Sequence, residues 1–114
     1  MSNWTRAHDA WITEHCEGLE VRPAGDIGDY WVWSLDMPNH PVSRYYTDPA
    51  AAIRAAEAWK EKVPGRTVTL EWRHNGVVAS LGDILGGWHR RHDVQNDPAA
   101  ALARALYRAT GGPA

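Results

Sequence analysis

Hydrophobic and polar positions divide the chain into three stretches of helical period and several of strand period. Between residues 4 and 17, Trp4, Ala7, His8, Trp11, Ile12 and His15 recur every three or four residues, while Arg6, Asp9, Thr13, Glu14 and Glu17 largely fall on the other side. One apolar face at that spacing predicts an amphipathic helix. Ser2 or Asn3 is its expected cap and Gly18 its stop. A second helix is predicted from Pro49 to Lys62. Asp48 can accept hydrogen bonds from the first free N–H groups, and Pro49 stands where a missing N–H costs nothing. Ile53, Ala56 and Trp59 make its stripe, between Arg54, Glu57, Lys60 and Glu61. Asp97-Pro98-Ala99-Ala100-Ala101-Leu102 repeats that start almost letter for letter. Ala99, Leu102, Ala103, Leu106 and Ala109 or Thr110 then supply the stripe of a third helix, ended by Gly111-Gly112-Pro113. Shared capping chemistry accounts for the two like starts without a duplication.

Strand periodicity is cleanest over residues 66–73, where Val68, Leu70 and Trp72 alternate with Thr67, Thr69 and Glu71. Residues 77–81 are the return strand, and Asn75-Gly76 predicts a type I′ hairpin turn between them. Residues 30–35 also alternate, with Trp31, Trp33 and Leu35 on one side and Tyr30, Val32 and Ser34 on the other. That is a strand apolar on nearly both faces, and at a sheet edge it would invite pairing with another chain. Leu19-Glu20-Val21 begins an extended segment, and Arg44-Tyr45-Tyr46 reads as a short second one. Residues 23–29 are turn-rich, 36–42 carry two prolines, and 82–96 are expected as a long glycine-rich loop holding the polar run His89-Arg90-Arg91-His92-Asp93. The order helix, strand, helix, hairpin, helix predicts the α+β class. Three helices would pack on a mostly antiparallel sheet, sandwich-like, in one domain over residues 1–114.

Twelve Lys plus Arg against fourteen Asp plus Glu, a net charge of -2, give no electrostatic case for a polyanionic partner. Cys16 is the single cysteine, which excludes an internal disulfide and fits a reducing compartment. No apolar run approaches about 18 residues, and the first residues lack the pattern of a secretory signal. The expectation is a cytoplasmic protein with no membrane partner. Seven Trp, four Tyr and no Phe supply core material; Trp is also a frequent anchor at protein interfaces.

The candidate metal ligands are His8, His15, Cys16, His40, His74, His89 and His92. His8 and His15 stand two helical turns apart, about 10 Å, too far for one ion. His89-x-x-His92 needs ligands from elsewhere, because zinc sites normally take four. Cys16 falls near a helix C-terminus, where the dipole raises a thiol pKa, so it reads as structural. No paired acids and no phosphate-binding glycine loop stand out. The reading is a chain that is not an enzyme, with no metal and no cofactor. Arg73 and His74 at the hairpin tip, with Trp88, His89, Arg90 and Arg91, form a basic and aromatic set. Trp flanked by Arg has the composition of a protein-binding hot spot, and the same set suits phosphate contact with base stacking. Protein binding is the first reading and nucleic-acid association the second.

Three stretches taken together resemble the phage ABA sandwich family, small proteins of tailed phages and prophages. They are the helix His8–Gly18, the helix start Val42-Ser43-Arg44-Tyr45-Tyr46-Thr47-Asp48-Pro49-Ala50-Ala51-Ala52, and the closing Asp97–Leu106 with its Ala-Leu-Ala-Arg-Ala-Leu core. Ala103 stands where the family often has a cysteine before its arginine, and the hairpin is longer. The resemblance implies an αβα sandwich of phage origin and brings no catalytic motif. The expectation drawn from it is an accessory factor that binds and blocks a host protein or complex, such as an anti-CRISPR. A homodimer is the other partner arrangement considered.

Overall fold

The computed structural model describes residues 4–24, 28–34, 38–83 and 89–113, and for residues 89–93 the backbone alone. The first helix, α1 (Arg6–His15), starts two residues later than its apolar pattern does. Thr5 is the cap, its N–H donating to Nδ1 of His8 at 3.0 Å. The expected caps Ser2 and Asn3 lie outside the described residues. The chain then forms β1 (Glu20–Pro23), β2 (Tyr30–Trp33) and the two-residue β3 (His40–Pro41), an antiparallel sheet in the order β1-β2-β3. The Trp-rich strand is therefore central in its sheet, so the condition for edge pairing there is not met. Residues 36–42, expected as loop throughout, contribute β3; Leu35 lies outside the described residues.

Arg44, Tyr45 and Tyr46 form a turn, not an extended piece, with Thr47 and Asp48 N–H groups donating to the Arg44 carbonyl at 3.2 and 2.9 Å. What turns the chain is Tyr45, 0% exposed, whose hydroxyl reaches back to α1. Asp48 then caps α2 (Pro49–Lys62), accepting from Ala50 N at 3.1 Å. Its buried face is Ala51, Ala52, Ala55, Ala56 and Trp59. Ile53, expected in the stripe, is 46% exposed; the alanines bring α2 close against its neighbours and turn the large side chain outward.

The second sheet has the order β4-β5-β6, all antiparallel: β4 (Arg66–Arg73), β5 (Gly76–Asp83) and β6 (His89–Gln95). The hairpin lies where expected, but the turn differs. His74 and Asn75 are its central residues, no non-glycine residue described has positive φ, and Gly76 alone takes φ +137°. A type I′ turn needs positive φ at both central residues, so it is excluded. β6 corrects the long loop expected over residues 82–96. Its sequence His-Arg-Arg-His-Asp-Val-Gln lacks apolar alternation, yet it pairs with β5 from Asp83↔His89 to Val77↔Gln95. Tertiary pairing overrides weak local preference there.

α3 (Pro98–Ala109) is capped by Asp97, which accepts from Ala99 N at 2.8 Å and Ala100 N at 3.4 Å. Ala99 to Ala103, Ala105 and Leu106 are buried, a wider face than one stripe. The helix is the hub of the core: it packs on β5 and β6 (Val77, Ala79, Leu81), against α2, and against α1. α1 in turn packs on β1 and β2, which joins the first sheet to this core. Among the described residues, three helices with two three-stranded antiparallel sheets make an α+β protein.

Candidate binding surface

Sheet order leaves the outer side of β4 without a strand partner among the described residues. Half of the backbone N–H and C=O groups along its eight residues therefore face away from β5. α2 covers the same edge only partly. Between helix and strand runs a groove of about 310 Å³ lined by Ile53, Ala56, Val68, Leu70 and Leu102, with Glu57 and Lys60 on its helix side. Val68, Leu70 and Trp72 share the helix-facing side of β4, opposite Leu81, Ala79 and Val77. Trp72 is 67% exposed. A buried Trp–Leu–Val row would stop at Leu70; here it continues into solvent. Monomeric proteins seldom leave a flat strand edge and a contiguous apolar groove together without use.

Two groups of the residues proposed from sequence have a described backbone. Arg73 ends β4 and His74 is in the turn, both exposed. Arg73 pairs with Glu71 at 3.0 Å, a contact that holds the Glu71 carboxyl below its usual range. His89, Arg90 and Arg91 lie in β6 opposite Asp83, Gly82 and Leu81, at the other end of the sheet. Leu81 pairs with Val68, so Arg91 stands five strand positions from the level of Arg73, about 17 Å. Trp88 lies outside the described residues.

Cys16, His15 and His8 make packing contacts. Cys16 is buried, and burial pushes its thiol up to about 12, so it is neither ionised nor reachable at neutral pH. His15 stacks on Trp11 with ring centroids 3.8 Å apart and its Nδ1 meets the Trp11 carbonyl. His8 stacks on Trp4 with ring centroids 4.8 Å apart and meets Tyr107 at 4.7 Å with the rings tilted by 53°. No three His, Cys, Asp or Glu side chains converge among the described residues.

Two polar networks hold the first sheet and the Tyr45 turn to α1. Arg6 donates to Asp9 at 2.8 Å, to Asp29 at 2.9 Å and to the Val42 and Ser43 carbonyls. Asp9 also accepts from Trp4 Nε1 and Tyr45 N; burial pushes its carboxyl up against the pull of these donors. Asp29 is held low by the Tyr30 N–H and by Arg6. Glu17 accepts from Tyr45 at 2.5 Å and from Arg54 at 2.6 Å. These groups satisfy one another, and their chemistry is cohesion.

Sequence reading missed the groove because its members belong to patterns that normally mean core. One signal was available: Ile53 is the sole large aliphatic residue in an alanine-faced helix, one position off the stripe that Ala52, Ala56 and Trp59 define. Among the described residues no helix is long and apolar enough to cross a membrane. Comparison with protein-family models, curated proteins and solved structures gave no match, so the likeness to phage ABA sandwich proteins rests on the residues that carry it.

Proposed function

We propose that this chain acts by binding protein, at the surface made by α2, the β4 edge and Trp72. The observation behind this reading is the exposed apolar groove alongside an unpaired strand. That combination offers main-chain hydrogen bonds for affinity and side-chain pockets for selectivity. With the family resemblance, the concrete form is a phage accessory protein that works in the bacterial cytoplasm and blocks a host protein or complex, a CRISPR defence component being the most testable target. No catalytic step is part of the proposal.

The test is retention of host proteins from a bacterial lysate by the wild-type chain and by the Trp72→Arg and Ile53→Glu variants. Both residues are exposed, so neither change opens the core. The expected result is a stoichiometric host protein held by the wild type and lost by both variants. Equal retention by all three, or none by any, would count against the proposal.

A further inference from the structure

We infer that the chain carries a second binding site, for a small organic anion, in the cavity where its three helices end. The last residue of each helix lines that cavity: His15 of α1, Lys62 of α2 and Ala109 of α3. Hydrogen bonds tie the ends together. Trp11 Nε1 donates to Thr110 Oγ1 at 3.0 Å, and Lys62 Nζ donates to the His15 carbonyl at 2.8 Å. The space between them measures about 240 Å³ and shares no lining residue with the groove between α2 and β4. The site therefore does not rest on the protein-binding reading.

The sign of the ligand follows from the charges around the space. Three of its side chains are basic, His15, Lys62 and Arg66, and no acid lines it. Helix C-termini alone would favour a cation, since each carries roughly half a negative charge. Here those ends are already met. Lys62 takes the His15 carbonyl at the end of α1, and Arg66 Nη1 takes the Trp59 carbonyl in the last turn of α2 at 3.0 Å. These bonds hold both cations in place while using few of their donors. An ammonium has three N–H groups and a guanidinium five. Lys62 spends one, and Arg66 spends one on Trp59 and one on Asp83 at 3.3 Å. An anionic oxygen is the acceptor that suits the charged donors left over. A cationic ligand would meet like charge from Lys62 and from Arg66.

The rest of the lining is apolar and fixed. Trp59 is buried, with Val63 and Ala109 beside the same space, whereas Lys62 and His15 are exposed. Charge thus stands at the mouth and apolar surface below it. The Arg66 guanidinium carbon lies 4.4 Å from the centre of the Trp59 ring, and the His15 ring stacks on Trp11 at 3.8 Å. Side chains already held in this way lose little freedom when a ligand arrives. An apolar floor under a cationic rim fits a carboxylate or phosphate carried on an apolar body. Volume sets the size: drug-sized ligands take pockets of about 300–1,000 Å³, so the occupant here is smaller, on the scale of one ring with its acidic group.

The experiment titrates the nitrogen-15-labelled full chain with benzoate, phenyl phosphate, acetate and benzylamine at constant ionic strength, followed by NMR. Benzoate and phenyl phosphate are expected to give saturable shifts centred on residues 15, 59, 62–66 and 109–110. The tighter of the two names the acidic group. Acetate lacks the apolar body and should bind roughly tenfold more weakly, and benzylamine should not bind. Lys62→Gln, at an exposed position, spares the fold and should raise the benzoate dissociation constant roughly fivefold. Ala109→Leu fills the space without a change of charge and should abolish binding. No saturable shift with either phenyl anion overturns the inference, as does an equal response to benzylamine. Benzoate binding that is indifferent to both Lys62→Gln and Ala109→Leu, or shifts centred on other basic residues, overturns it as well. Retention of a host protein at the α2 and β4 surface involves none of these residues, so the two proposals stand or fall separately.

Discussion

Replacing Tyr45 by phenylalanine removes one oxygen from the interior and tests how the turn before α2 is held. The ring is fully buried. Its hydroxyl donates to Glu17 Oε2 at 2.5 Å and meets Thr13 Oγ1 at 2.9 Å. Thr13 also has the Asp9 carbonyl at 3.0 Å, so it keeps a partner after the change. Glu17 does not fare as well, since its side chain is only 10% exposed and the remaining partner is Arg54 at 2.6 Å. Arg54 is 56% exposed, and water screening limits that pair to under about 1 kcal/mol. A buried hydrogen bond to a charged acceptor is worth about 2 kcal/mol. Tyr45→Phe should therefore cost about 2 kcal/mol in urea unfolding and lower Tm by about 8 °C for a domain of this size. Arg54→Ala should cost less than half as much. A double-mutant cycle of Tyr45→Phe with Glu17→Gln should give a coupling above about 1 kcal/mol. A Tyr45→Phe change within about 0.5 kcal/mol of wild type, or a coupling near zero, would refute the assignment of Tyr45 and Glu17 as the main tie.

Alkaline pH should weaken the fold in a defined way. Burial raises the Cys16 thiol from 9.0 to about 12, so the folded state keeps a proton that the unfolded chain releases. The contribution is complete below pH 9.0 and is lost as pH rises towards about 12, by about 1.4 kcal/mol per pH unit, with Tyr45, also raised, adding to the slope higher up. Unfolding measured against pH should show the slope in wild type and a flatter curve in Cys16→Ala; identical slopes would exclude Cys16 as the source. Gly76→Ala should cost at least about 2 kcal/mol, because φ is +137° and a Cβ there would stand 2.7 Å from the Gln95 carbonyl oxygen. Gly111→Ala, at φ +80° with open space around it, carries the backbone strain alone and should cost about 1 kcal/mol. Equal losses in denaturant titrations of the two would show that the approach to β6 is not what demands glycine at position 76.

Helices α2 and α3 were legible because Asp48-Pro49 and Asp97-Pro98 write their starts in local chemistry, and the caps are made as those residues suggest. The β4–β5 hairpin was legible from strict alternation. β6 was not, since a strand of His, Arg and Asp gains its place from hydrogen bonds to β5 and from nothing in its own side-chain pattern. The Tyr45 turn was missed for a related reason: two adjacent tyrosines favour extended backbone, and the contact that bends them comes from Glu17, 28 residues earlier. The edge identity of β4, on which the candidate surface depends, is a property of sheet order. Periodicity reports which side chains share a face, not which strand stands outermost.

The position of α3 in the chain has a consequence for synthesis. All that it packs against (α1, α2, β5 and β6) precedes it, and Trp11 donates to Thr110 across a separation of 99 residues. On the ribosome, then, Val77, Ala79 and Leu81 must wait bare until Ala109 has cleared the exit tunnel. A chain stalled before Pro98 would offer chaperones and proteases a greasy sheet with no lid. Such long-range closure folds slowly, and the window of vulnerability ends in one late, cooperative event.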